Sequence, residues 1–94
     1  MSIALNSGLE LTIEKHSHPK KARIIVKENG EELACRIETL KELKRVAEVG
    51  KGHFFKGRLQ LDKTSSGVEV FVKDAFVGQV SADDFSNLLE SVGG

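Results

Sequence analysis

The chain is sparing with the residues that most often declare a chemistry. Its 94 residues include one cysteine, one proline and one methionine, and five phenylalanines with no tryptophan or tyrosine. A single cysteine cannot close an internal disulfide, so nothing here encodes a secreted disulfide scaffold. No apolar run approaches the roughly 18 residues that a membrane-spanning helix needs. Met1–Glu10 lacks the basic and apolar regions of a signal peptide, and a cytoplasmic setting is the expectation. The formal net charge is zero, so the basic excess that marks most polyanion binders is missing. Gly50, Gly52 and Gly57 are not followed by the Gly-Lys-Ser/Thr of a phosphate loop and read as a linker.

What remains is an ordinary globular composition, 39% apolar and 30% charged, enough for one domain over residues 1–94. The charge is laid out unevenly. Residues 1–63 hold 13 of the 14 lysines and arginines against nine acids, whereas residues 64–94 hold only Lys73 against five acids. Such a split suits a small homodimer, basic half against acidic half, as well as it suits a polyanion.

The chain is written twice, with halves 1–50 and 51–94. Thr39 with Glu42, and Ser81 with Asp84, each set a hydroxyl three residues ahead of a carboxylate at the start of an amphipathic stretch. Leu9 and Leu11 recur as Leu59 and Leu61, and Val26-Lys27 as Val72-Lys73. In the first half, Ser2–Asn6 is a short apolar alternation, and Leu9, Leu11 and Ile13 alternate with polar residues as a half-buried strand. A polar loop at His16–Lys21 holds the proline. Ala22–Lys27 is β-branched and runs into Asn29-Gly30, a two-residue hairpin signal. Leu33, Cys35 and Ile37 share one face of the next strand. A helix follows from Thr39, with Leu40, Leu43, Val46 and Ala47 on one stripe and Gly50 as its stop.

In the second half, His53–Lys63 is extended, with Phe55, Leu59 and Leu61 of one parity. Thr64–Gly67 is a turn, Val68, Val70 and Val72 line a strand, and Asp74-Ala75 is a tight connection to Phe76–Val80. Ser81 caps a helix carrying Phe85, Leu88, Leu89 and Val92, which Gly93-Gly94 terminates. Ubiquitin-like carriers also end in Gly-Gly, but after a strand and an extended tail rather than a helix. The expected fold is therefore α+β: an antiparallel sheet covered on one face by two helices, in a tandem (β)βββα pseudo-repeat.

If Leu9, Leu11, Ile24, Val26, Cys35, Leu59, Leu61, Val68, Val70 and Val72 face the helices, the opposite parity faces outward. That outward set comprises Arg23, Ile25, Lys27, Arg36, Phe54, Lys56, Arg58, Gln60, Phe71, Lys73 and Val77. A face that met only water would be polar. This one mixes rings with cations, which is what a platform for single-stranded nucleic acid requires: rings stack on bases and cations hold phosphates. A two-fold homodimer burying the same residues is the competing expectation.

Other constellations carry less. His16, His18, Cys35 and His53 match no established zinc spacing, and no metal or cofactor is expected. Cys35, on the inward parity, is expected to be a buried thiol rather than a nucleophile. Asp83-Asp84 suits the positive end of a helix dipole, and adjacent helical residues point apart, so the pair is not a catalytic one. No catalytic residues are assigned, and an enzyme is not expected.

The order of strands then helix, twice over, resembles the Whirly and Pur-alpha families, relatives in fold of the single-strand-binding transcriptional coactivators. The residues that carry the likeness are Val68–Lys73, Phe76–Val80, Ser81 and Phe85 with Leu88. The coactivators' glycine-lysine-lysine turn is replaced here by Asp74-Ala75-Phe76. The resemblance implies a curved antiparallel sheet that meets single-stranded DNA or RNA, helices that support a homodimer, and a role in transcriptional regulation. Arg23, Lys27, Arg36, Lys56, Arg58 and Lys73 are the expected phosphate contacts, with Phe54 and Phe71 as the stacking rings. The alternative is a protein-interaction or homodimerisation module that uses the same face.

Overall fold

A computed structural model describes residues 2–93. The alternating leucine-rich and β-branched segments of the first half form β1 (Ser2–Ala4), β2 (Leu9–Lys15), β3 (Lys21–Glu28) and β4 (Glu31–Thr39), paired antiparallel in that order. Helix α1 (Leu40–Glu48) follows at once. The second half repeats the order with β5 (Gly52–Phe54), β6 (Leu59–Thr64), β7 (Gly67–Val72) and β8 (Ala75–Val80), then α2 (Ala82–Gly93). The class is α+β, as expected. The strands divide into two four-stranded sheets, β1-β2-β3-β4 and β5-β6-β7-β8, rather than sharing one.

Both halves turn the same corner in the same way. Asn29 and Gly30 take φ of 52° and 84°, and Lys73 and Asp74 take φ of 52° and 65°. Positive φ at both central residues is what a two-residue hairpin of the type I′ class demands. The second loop is thus Lys73-Asp74, one residue earlier than the expected Asp74-Ala75, since Val72 pairs with Ala75. Leu61 faces Val70 as Leu11 faces Val26, so the counterpart of Val26 is Val70 rather than Val72.

Each hairpin then carries a bulge in its second strand. Lys27 pairs with Glu32 but Val26 pairs with Ala34, leaving Leu33 as the extra residue. Phe71 pairs with Phe76 but Val70 pairs with Gly78, leaving Val77 as the extra residue. An inserted residue shifts every later side chain of its strand to the other face. Leu33 and Val77 both turn toward the core and pack on it, half-buried. Val77 is therefore not an outward residue.

One hydrophobic cluster joins the two sheets and both helices. It includes Leu11, Ile24 and Val26 from the first sheet, Leu61, Val68 and Val70 from the second, and Leu43, Val46, Phe85 and Leu88 from the helices. Helix α2 packs on β2 as well as on β7 and α1, so the second copy's helix lies on the first copy's sheet. Gly78, with φ of 152°, leaves room for Leu5: a Cβ there would come within 2.9 Å of the Leu5 side chain. The N-terminal turn over Asn6–Gly8 is thereby seated against β8.

The helix starts follow the expected cap chemistry. Thr39 Oγ1 accepts from Glu42 N at 3.2 Å, and Ser81 Oγ accepts from Asp84 N at 3.0 Å. The end of α1 does not. Helix α1 ends at Glu48 with Val49 already extended, and Gly50 has no left-handed φ. Its last carbonyls are held instead by Lys63 of β6, only 8% exposed, whose Nζ donates to the carbonyls of Val46 at 3.2 Å, Ala47 at 2.9 Å and Val49 at 2.9 Å. A cation on the negative end of the helix dipole satisfies acceptors that otherwise lack partners. The expected termination of α2 by Gly93-Gly94 involves Gly94, which lies outside the described residues.

Replacing Lys63 by methionine keeps the length and removes the donors, so it strands buried carbonyls. Urea unfolding of Lys63→Met is expected to show a loss of about 2–4 kcal/mol, against less than about 0.5 kcal/mol for the exposed control Lys44→Met.

Candidate nucleic-acid interface

The expected contact residues do not share one surface. Arg23 and Lys27 lie on the outer face of the first sheet, either side of Ile25, and each faces carboxylates. Arg23 sits 3.7 Å from Glu14 and 2.9 Å from Glu32, and Lys27 sits 3.7 Å from Glu14. Beneath these long side chains Ile25 is 1% exposed, although it stands apart from the central core cluster. Cationic stems spanning an apolar residue can bury it while their heads stay wet.

The leucine-33 bulge also corrects the expectation for Cys35. Cys35 pairs with Ile25 and so belongs to the outer face, half-buried, with Arg23 Nη2 donating to its Sγ at 3.3 Å. That contact, with Glu32 and Glu14 behind it, holds the Arg23 pKa above its ordinary value.

Arg36 and Phe54 are not where the alternation put them. Arg36 pairs with Ile24, an inward residue, because the bulge has exchanged the faces of β4. Its guanidinium lies 4.9 Å from the centre of the Phe55 ring, donates to the Lys56 carbonyl and pairs with Glu38. Arg36 therefore ties β4 to the β5–β6 connection. Phe54 is 8% exposed and belongs to the core, facing Leu61 across β5 and β6. The parity breaks after Phe54, where Phe55 takes φ of 71° and Gly57 takes φ of 100°. A phenylalanine at positive φ is a strained position that an alternating pattern does not foresee.

The remaining candidates gather at one end of the second sheet. Gln60, Phe71 and Phe76 stand in register across β6, β7 and β8 on its outer face. The two rings meet edge to face, 5.7 Å between centres and 66° between planes, and Phe76 is 48% exposed. Arg58 and Lys73 lie beside this row, joined by a backbone bond from Lys73 N to the Arg58 carbonyl at 2.8 Å. Lys56 precedes them in the exposed connection. Among the described residues, the side chains of Lys56, Arg58 and Lys73 make no ion pair. On the other side of the ring row, His53, Asp62, Glu69 and Gln79 form the next row, with His53 Nδ1 2.6 Å from Asp62 Oδ1. The face thus grades from basic through aromatic to acidic along the strands.

Phe76 is the residue the sequence reading missed. Its signal was the turn: a loop at Lys73-Asp74 sets Phe71 opposite Phe76 directly, whereas one at Asp74-Ala75 hides the pair. Asp in the left-handed region is common enough to have marked that loop without glycine.

The remaining polar residues make local structure. His16 and His18 accept bonds from the amides of His18 and Lys20, shaping their loop. No group of three or more His, Cys, Asp or Glu able to hold a metal ion occurs among the described residues. A shallow cleft of about 320 Å³ is lined by Pro19, Lys20, Thr39, Leu40 and Lys41, which bring together no acid–base pair. Among the described residues no helix is long and apolar enough to cross a membrane.

Comparison with known protein families, with curated proteins and with solved structures finds no match for this chain.

The two ring environments differ enough to be told apart by stability alone. Phe54→Ala is expected to cost about 3–5 kcal/mol in urea unfolding, as a truncated core ring does, and Phe76→Ala less than about 1 kcal/mol. Similar losses at both positions would contradict the placement of either ring.

Proposed function

We propose that the outer face of the second sheet binds single-stranded DNA or RNA, as a non-catalytic platform. The observation that carries this reading is the Phe71–Phe76 pair, partly open to solvent, with Arg58 and Lys73 beside it and Lys56 in the adjoining connection, none of which makes an ion pair among the described residues. Bases of any sequence stack on such rings, and cations at one margin hold the backbone. Asp62 and Glu69 on the opposite margin repel phosphates, which favours a strand lying toward the Arg58 and Lys73 end. Arg23 and Lys27 are left out of this site because Glu14 and Glu32 already neutralise them. Four strands and a helix, twice over, are in keeping with the resemblance to the Whirly and Pur-alpha families, and transcriptional regulation is the role that resemblance favours.

A second reading draws on the same exposure. Among the described residues, Phe76 at 48% and Ile37 at 46% are the exposed large hydrophobic residues, and a homodimer would cover such positions. One set of variants separates the two. With a labelled mixed-sequence oligonucleotide, Phe71→Ala and Phe76→Ala are each expected to weaken binding by about 1–3 kcal/mol per stacked base, with the sedimentation coefficient unchanged. Arg58→Ala and Lys73→Ala are expected to reduce the slope of log affinity against log salt by about 0.7 each, the single-strand value per phosphate. Unchanged affinity with an altered oligomeric state in the phenylalanine variants would favour contact between copies instead.

A further inference from the structure

One polar side chain on this face is locked. Gln60 lies directly across from Phe71. Its Nε2 donates to the Gly57 carbonyl at 2.8 Å and to Asp74 Oδ1 at 3.1 Å. A primary amide has two N–H bonds, so both are in use. The two partners, a carbonyl and a carboxylate, are acceptors. Turning the amide over would set its oxygen against two oxygens, so hydrogen-bonding chemistry fixes the orientation. What remains for a ligand is Oε1, to which no described residue donates. A free glutamine can offer either a donor or an acceptor and is neutral among bases. This one offers an acceptor alone.

We propose that Gln60 makes the platform discriminate among bases, favouring cytosine and adenine, whose exocyclic amines stand at C4 of the pyrimidine and C6 of the purine. The inference rests on the single-strand reading above. A cytosine or adenine stacked beside Phe71 presents an amine that donates to Oε1. Thymine and uracil seated in the same way present O4 at the position of the cytosine amine, with their one donor, N3–H, a ring position away; an acceptor facing an acceptor leaves both unpaired. Discrimination then comes from the mismatch as much as from the match. Asp74 and Gly57 act through Gln60, as positioning groups. The same clamp accounts for an aspartate in the hairpin loop, where its left-handed backbone aims the carboxylate at Gln60.

The test compares labelled oligo-dC with oligo-dT by anisotropy, at a slightly alkaline pH that keeps cytosine neutral. Both are pyrimidines, so their ring area on Phe71 is alike. The wild-type protein is expected to bind oligo-dC tighter by roughly three- to tenfold, the worth of one net hydrogen bond. Gln60→Met, which keeps the chain length and removes the amide, is expected to bring the ratio close to one while oligo-dT still binds. Asp74→Gly keeps the left-handed loop and frees the amide to turn, so it is expected to shrink the ratio with Gln60 in place. A purely structural brace would lower the stability of both variants and leave the ratio untouched. Equal binding by wild-type protein, a preference for oligo-dT, or an unchanged ratio in Gln60→Met overturns the inference and leaves the platform standing. Binding of neither oligomer overturns the platform and the inference together.

Discussion

The paired bulges at Leu33 and Val77 decide which side chains this protein shows to solvent. Side chains alternate with a period of two, so one extra residue exchanges the faces of the rest of the strand. In the first copy this turns Cys35 outward and sends Arg36 to the inner side, over Phe55. In the second it brings Gly78 inward beneath Leu5 while leaving Phe76 paired with Phe71 outside. The same device, at matching places after matching turns, therefore produces two different surfaces. One is a lattice of ion pairs over Ile25, and the other is a pair of rings among unpaired cations.

The two copies are not independent units. Lys63 of the second copy holds the carbonyl end of the first copy's helix, and α2 lies on β2. Leu5 of the first copy occupies the space above Gly78 of the second. Arg36 bonds the carbonyl of Lys56, again across the halves. A repeat unit exposes an apolar face that its neighbour must cover, and here each half covers the other. The interlock also sets the platform, since the β5–β6 connection that carries Lys56 and Arg58 is the segment that Arg36 grips.

Much of the fold was legible because its determinants are local. Alternation in Leu9–Glu14 and Val68–Val72, the Asn29-Gly30 loop, and the hydroxyl caps at Thr39 and Ser81 each act within a few residues. The α+β class and the doubled order of strands and helix followed from them. What was not legible depends on contacts distant in sequence. No local pattern says that Lys63 ends α1, so Gly50 took that role on paper. Nothing local marks Leu33 or Val77 as an inserted residue, because a bulge is settled by the packing of both strands and the core beneath. Phe54 was misplaced for a related reason: positive φ at Phe55 resets the parity counted back from Leu59. Of the expected contact residues, the structure brings Lys56, Arg58, Phe71 and Lys73 together, with Phe76 and Gln60 added.

On the proposed reading, this arrangement is how a protein of zero net charge would meet a polyanion. Most acids lie elsewhere and Asp74, the carboxylate at this end, is bonded to Gln60, while among the described residues the cations beside the rings make no ion pair; a short strand experiences the local field rather than the sum. Affinity at such a site rests on stacking with a modest ionic contribution. The most direct measurement is an anisotropy titration of the wild-type protein against single-stranded and duplex oligonucleotides over a range of salt. The account predicts a preference for single strands and a shallow salt slope, close to that of about three neutralised phosphates on a single strand. Absence of binding at low salt, or equal binding of duplex, would contradict it.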